Sequence, residues 1–165
     1  MEITGAWSLL GMVGLLVTVR GQVPTEELSD IQTKALTLVT EDFHNVDNIY
    51  SRFQVTSVLN AAEEKFPGGI FVLLHLRKKQ TNCAKTEWKS KVCKAMRGGR
   101  VFNCFACLKF EYGSHKVLAK AIDCVPDRQV SPEVEQKRRQ RCTTMESVNE
   151  TGLRLPGALS FVKSQ

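Results

Sequence analysis

Apolar positions along the chain change period after residue 44. Over residues 25–44, Leu28, Ile31, Ala35, Leu38, Val39 and Phe43 recur at helical steps, which places them on one face of a helix. Thr25, after Pro24, is placed to cap it, and Glu26 and Glu27 complement the positive end of its dipole. Asn45, Asp47 and Asn48 break the pattern, so the helix is expected to end near His44.

Beyond that point the pattern is that of strands. Residues 49–59 carry the β-formers Tyr50, Phe53, Val55 and Val58. Pro67, Gly68 and Gly69 mark a turn or bulge. Residues 70–76, IFVLLHL, form a strongly apolar strand that Arg77, Lys78, Lys79 and Gln80 are expected to carry out to solvent. Gly98 and Gly99 separate a basic loop from a third strand, residues 101–110. After a turn at Tyr112, Gly113 and Ser114 comes a fourth, residues 116–125, where Val117, Ala119 and Ala121 alternate with Leu118, Lys120 and Ile122. Short consecutive connections favour an antiparallel meander. The helix needs a surface for its apolar stripe and the sheet needs a cover, so the expected class is α+β: one long N-terminal helix on a four-stranded antiparallel sheet. After Pro126 the chain turns polar. Ser131, Pro132 and Glu133 read as the start of a short helix, and Lys137, Arg138, Arg139 and Arg141 as a surface patch of charge.

The first residues change the picture of where this domain works. An apolar stretch over residues 6–19 is shorter than the ~20 residues that span a bilayer, and Val19 and Gly21 are small enough for a signal-peptidase site. Residues 1–21 are therefore read as a signal peptide cut after Gly21, although Glu2 is acidic where such leaders are basic. An N-terminal anchor or a buried helix is the alternative. No later segment is apolar enough to be transmembrane, so the expectation is a secreted, extracellular protein. The chain carries a formal charge of +6, and losing Glu2 and Arg20 with the leader leaves that balance unchanged. Such a charge attracts heparan sulfate and anionic membranes. A basic patch is expected from Lys85, Lys89, Lys91, Lys94, Arg97 and Arg100, with a solvated charged face as the plain alternative.

The 6 cysteines all lie in the second half, at Cys83, Cys93, Cys104, Cys107, Cys124 and Cys142. An even count behind an export signal points to disulfides. Cys104-x-x-Cys107 lacks the second ligand pair of a zinc site and the βαβ context of a redox motif. On a strand that spacing puts the two side chains on opposite faces, so they should have different partners. Cys83 and Cys93 are the natural local pair. Cys104 then reaches Cys124 and Cys107 reaches Cys142, one of many connectivities the count allows. His44, His75 and His115 stand apart, without acidic or nucleophilic neighbours in a recognisable pattern. No enzyme, metal or cofactor is expected, and no nucleic-acid partner.

The run from Phe66 through Cys107, FPGGIFVLLHLRKKQTNCAKTEWKSKVCKAMRGGRVFNCFAC, resembles the chemerin family, as do KVLAKAIDC, the late Cys142, and the ending Pro156-Gly157-Ala158-Leu159-Ser160-Phe161. DFHNVDNIYSRF is similar to the cathelicidin prodomain, within the same cystatin/cathelicidin superfamily. The resemblance implies a cystatin-like fold over residues 22–145 and the same disulfide pairing. It also implies a secreted precursor of a chemoattractant and adipokine. In that reading residues 146–165 are a flexible tail, trimmed by proteases so that 163–165 are lost. The new end activates a chemokine-like G-protein-coupled receptor through Pro156, Gly157, Leu159, Ser160, Phe161 and Val162, with Val162 and Lys163 flanking the cut. The chain departs from the family at Arg154 and Leu155, where an aromatic pair precedes Pro-Gly, at Leu159, which replaces an aromatic, and at Val162, which replaces serine. An apolar tail beyond the last cysteine can order inside a receptor pocket with its apolar side chains as anchors. Alternatively, Leu159 and Phe161 pack back on the sheet as a final strand.

Two other functions compete. A cystatin-type protease inhibitor resembles its family in a Gln-x-Val-x-Gly hairpin, whereas Gln54-Val55-Thr56-Ser57-Val58 lacks both the valine and the glycine. A cathelicidin-like host-defence (antimicrobial) precursor should release a cationic peptide. Here Arg154 and Lys163 are balanced by Glu146 and Glu150, although the internal basic stretch retains that possibility. Asn149-Glu150-Thr151 is a glycosylation sequon.

Overall fold

A computed structural model describes residues 22–87 and 92–150 of the chain. Helix α1 spans Asp30–Asn45. It is followed by β1 (Ser51–Phe66), β2 (Gly69–Ala84), β3 (Val101–Phe110), β4 (Val117–Pro126) and helix α2 (Pro132–Glu146). The strands form one antiparallel sheet in sequence order. The helix on a four-stranded, disulfide-stapled sheet is the α+β, cystatin-like arrangement expected from the sequence.

α1 begins later than the apolar pattern suggests. Residues Thr25–Glu27 form a separate 3-10 turn, and Leu28 is extended. The cap is Ser29, whose side chain accepts from the Gln32 N–H while the Gln32 side chain accepts from the Ser29 N–H. This reciprocal pair satisfies two donors at the helix end, which Thr25 does not match. Ile31, Ala35, Val39 and Phe43 are buried against the sheet.

β1 and β2 both run further than their apolar stretches. Asn60–Phe66 pairs with residues 69–75 of β2 despite its alanines and glutamates, because pairing to a strong neighbour overrides weak intrinsic preference. At the other end of β2, Arg77, Lys78 and Lys79 do not leave the sheet. Lys78 pairs with Val55 on one side and Phe102 on the other and is fully buried.

The sheet has two covered faces. Ile70, Val72, Leu74 and Leu76 of β2 and Cys104, Ala106, Leu108 and Phe110 of β3 point to α1. Phe71 and Cys107 point the other way and pack with Cys142 of α2. Cys104 and Cys107 thus face opposite sides, as the strand period dictates. Three disulfides join Cys83–Cys93, Cys104–Cys124 and Cys107–Cys142.

The second helix starts where the sequence placed it and runs longer than the short helix expected. α2 has 15 residues and a Ser131 cap, but only Arg138 and Cys142 are buried. It has no apolar stripe, so the Cys107–Cys142 bond and Arg138 hold it to the sheet. Arg138 is therefore no member of a surface patch. Its guanidinium donates to Asp123 Oδ2 (2.6 Å), Asn103 Oδ1 (2.8 Å) and the Asn103 carbonyl (3.0 Å). Lys137, Arg139 and Arg141 are exposed.

Candidate functional site

The last described residues are fastened to the tip of the β1–β2 hairpin. Lys109 of β3 sits on the α2 side of the sheet with its side chain wholly buried. Its Nζ donates to the Glu146 carbonyl at 2.8 Å and to Glu150 Oε1 at 2.6 Å, and lies 4.2 Å from the Phe66 ring centroid. A buried ammonium is tolerated only when its donors are matched, and here a carbonyl, a carboxylate and a ring face match them. Glu150 in turn accepts from the Gly68 N–H at 3.0 and 3.2 Å. Asn149 Nδ2 donates to the Gly68 carbonyl at 3.0 Å.

Both polar backbone groups of Gly68 are therefore taken up by the residues that lead into the tail. The glycine is obligatory: a Cβ there would lie 2.6 Å from the Asn149 carbonyl oxygen and 2.7 Å from Glu150 Oε1. Tyr112 donates its hydroxyl proton to the Phe66 carbonyl at 2.8 Å, which holds the same hairpin end from the β3–β4 turn. The result is a rigid root, placed after the Cys107–Cys142 bond, from which residues 151–165 continue.

The proposed receptor segment, Pro156, Gly157, Leu159, Ser160, Phe161 and Val162, lies outside the described residues, as do Lys163 and Gly21. Asn149 is exposed, with φ of 65°. In the basic region, Lys94, Arg97 and Arg100 are exposed, whereas Lys85 is half-buried with its Nζ on the Val46 carbonyl at 3.0 Å. Lys89 and Lys91 lie outside the described residues. Lys94 and Arg100 lie beside the end of β2 that carries Cys83, at the end of the sheet opposite the tail root.

Two histidines are structural. His44 Nδ1 donates to the Thr40 carbonyl at 2.8 Å, and its Nε2 accepts from the Phe53 N–H at 3.0 Å. This fixes a neutral ring, and burial pulls its pKa below the ordinary 6.5, with the Thr40 bond opposing. His75 Nε2 points at Asn103 Oδ1 (3.0 Å), the atom that also accepts from Arg138, and burial lowers its pKa too, against the Asn103 bond. Lys78 differs from both. Its ammonium lies 4.9 Å from the Phe43 ring centroid without a hydrogen-bond partner among the described residues, and burial pulls its pKa from 10.5 to about 7. No cluster of three or more His, Cys, Asp or Glu side chains suited to a metal occurs among the described residues.

The inhibitor-type segment is not a turn. Residues 54–58 lie within β1 and pair with β2, with register irregularities after Val55 and Val58. No helix among the described residues is long and apolar enough to cross a membrane.

The tail root was missed in sequence because Lys109, Gly68 and Glu150 are far apart along the chain. One signal was present: Lys109 shares the parity of Phe105 and Cys107, and Lys78 that of Leu74 and Leu76, so both occupy inward positions.

No protein-family model matches the chain. It is 34% identical over 160 residues to retinoic acid receptor responder protein 2 of Bos taurus, across 96% of this chain and 98% of that protein. It is 35% identical over 158 residues to the protein of the same name from Homo sapiens, across 94% and 91%. With that of Mus musculus it shares 33% identity over 157 residues, again across 94% and 91%.

Proposed function

The chain belongs to the family of retinoic acid receptor responder protein 2, the chemerins, and from this premise we propose that it is the secreted precursor of a chemoattractant and adipokine, activated by C-terminal proteolysis into an agonist of a chemokine-like G-protein-coupled receptor. The observation that carries the reading is the tail root. Asn149 and Glu150 grip Gly68 and Lys109 beyond the last disulfide, so the domain works as a fixed handle for the residues that follow.

Lys163 is the sole basic residue of positions 155–165. A trypsin-like protease cuts after it, removing Ser164 and Gln165, and a basic carboxypeptidase then removes Lys163. The end becomes Leu159-Ser160-Phe161-Val162 with a terminal carboxylate. Before trimming, the lysine charge must be desolvated in an apolar receptor pocket, which is costly unless it is paired. Export to an oxidising compartment fits the three disulfides. In this reading the protein is a ligand and not an enzyme.

The test follows intact mass and receptor signalling together during exposure of the secreted protein to serum proteases. Signalling that rises as the C-terminal residues are lost supports the reading. Complete trimming without any rise in signalling overturns it.

A second contact is favoured by the exposed Lys94, Arg97 and Arg100 beside the Cys83–Cys93 loop. Sulfated glycans such as heparan sulfate match that charge, and retention on heparin should fall with salt because surface charge is screened over about 8 Å at physiological strength. Replacing Lys94 and Arg97 with alanine, together with Lys85, Lys89 and Lys91, should weaken that retention, and unchanged retention would remove this contact. Asn149 is the proposed glycan acceptor; the linkage takes one amide hydrogen and leaves the other for the Gly68 carbonyl.

A further inference from the structure

The C-terminal end of α1 leaves part of the sheet uncovered. Between it and the β3–β4 edge lies an open cleft of about 630 Å³, within the range of about 300–1,000 Å³ common for small-molecule sites. Its apolar surface comes from Phe43, Ile49, Phe102 and Ile122, and the Cys124 disulfide closes one wall. Phe102 and Ile122 are only partly buried in the free protein.

Two charged side chains line the cleft, Asp42 and Arg100, whereas Asp123 lends it only backbone, its carboxylate facing α2 on the other side of the sheet. Neither acid offers the cleft a free charge. Lys120 Nζ lies 2.6 Å from Asp42, and Arg138 Nε lies 2.6 Å from Asp123. Arg100 has no carboxylate partner among the described residues. Its Nε donates to Gln80 Oε1 at 3.4 Å. Its guanidinium carbon lies 5.5 Å from the Phe53 ring centroid and 6.0 Å from that of Phe102. Held against the two rings, the planar group still presents the fork of N–H donors that matches a carboxylate.

We propose that this cleft binds a free long-chain carboxylate, with the acyl chain along Phe43, Phe102 and Ile122 and the carboxylate on Arg100. A sulfated glycan would satisfy Arg100 but has no apolar part to cover Phe102 and Ile122. An apolar cation would meet the guanidinium as a like charge.

The test titrates the disulfide-intact protein, residues 22–165, with dodecanoate below its micelle concentration. Dodecanol and dodecyltrimethylammonium of the same chain length are run beside it, with amide NMR shifts as the readout. The expected result is saturable one-to-one binding of dodecanoate, with shifts centred on Arg100, Phe102, Ile122 and Val125. The alcohol and the ammonium should bind at least about tenfold more weakly, the scale of a lost charge-assisted hydrogen bond. Arg100→Gln should weaken dodecanoate by a similar factor while leaving dodecanol unchanged, and Ile122→Trp should block both ligands by filling the cleft. The comparison among ligands uses the unaltered protein and so does not depend on either variant folding. Equal affinity for the three ligands, shifts confined elsewhere, or no saturable binding of dodecanoate would overturn the proposal. So would binding to phosphatidylcholine–phosphatidylglycerol vesicles with none of free dodecanoate, because Arg100 would then be a membrane contact.

Discussion

Lys109 Nζ and Glu150 Oε1 lie 2.6 Å apart, joining a wholly buried position of β3 to the last described residue of the chain. The pair spans 41 positions of sequence, and through it the sheet itself holds the start of the tail. Glu150→Ala leaves the ammonium with one carbonyl and a ring face. It should cost about 2–3 kcal/mol of stability in urea unfolding with disulfides intact, at the low end of a broken buried pair because Glu150 keeps some exposure. Amide exchange at Gly68 should accelerate, and unchanged protection there would show that the clamp is not formed.

Gly68→Ala attacks the same clamp from the hairpin side. The added Cβ meets backbone at 2.6 Å, and backbone yields less readily than a side chain, so a loss of about 1–3 kcal/mol is expected. Full stability in Gly68→Ala would contradict the close docking of Asn149.

Lys78 should make stability depend on alkaline pH. Its folded pKa is about 7 against 10.5 when solvated. Between these values the unfolded chain binds more protons than the folded one, so stability rises with pH across that window. Below about pH 7 both states are protonated and the cost of the buried charge is fully present. Lys78→Met should remove the alkaline slope and stabilise the protein by roughly 1–3 kcal/mol near pH 6. His44 adds a separate limb. Its folded pKa is depressed, so it withdraws stability as pH falls below its ordinary 6.5, and Lys78→Met should leave that limb in place. A flat profile from pH 7 to 10 in the parent protein would refute the role of Lys78.

The disulfides should not be equivalent. Cys107–Cys142 closes 35 positions and Cys83–Cys93 only 10, which corresponds to roughly 4 against 3 kcal/mol in the chain-entropy view. The qualitative difference should exceed the energetic one, because α2 has no apolar stripe of its own. Replacing Cys107 and Cys142 with alanine should release α2, seen as lost exchange protection over Pro132–Glu146. Arg138→Met should destabilise the same helix by about 1–3 kcal/mol, since Asn103 and Asp123 lose their donor.

The parts of the fold that follow a hydrophobic period were legible in the sequence. The stripe from Ile31 to Phe43 located α1, and the apolar run of residues 70–76 located β2. The two extra residues between Cys104 and Cys107 predicted opposed side chains. What was not legible depended on polar partners brought from afar. α2 shows no period because Arg138 and Cys142 hold it. The outward reading of Lys78 failed because charge alone was weighed, while its register placed it beside Leu76. The tail root was unreadable because its meaning arises only when Gly68, Lys109 and Glu150 meet. Residues 151–165, on which the receptor reading depends, lie outside the described residues.

The central claim is tested most directly by comparing two recombinant forms, 22–165 and 22–162, on cells carrying the chemokine-like receptor. Removing the lysine charge from the inserting end should raise potency by at least about tenfold, equivalent to about 1.4 kcal/mol of desolvation relieved. Phe161→Ala in the shorter form should abolish the gain with the fold intact. Equal potency of the two forms would contradict activation by C-terminal trimming.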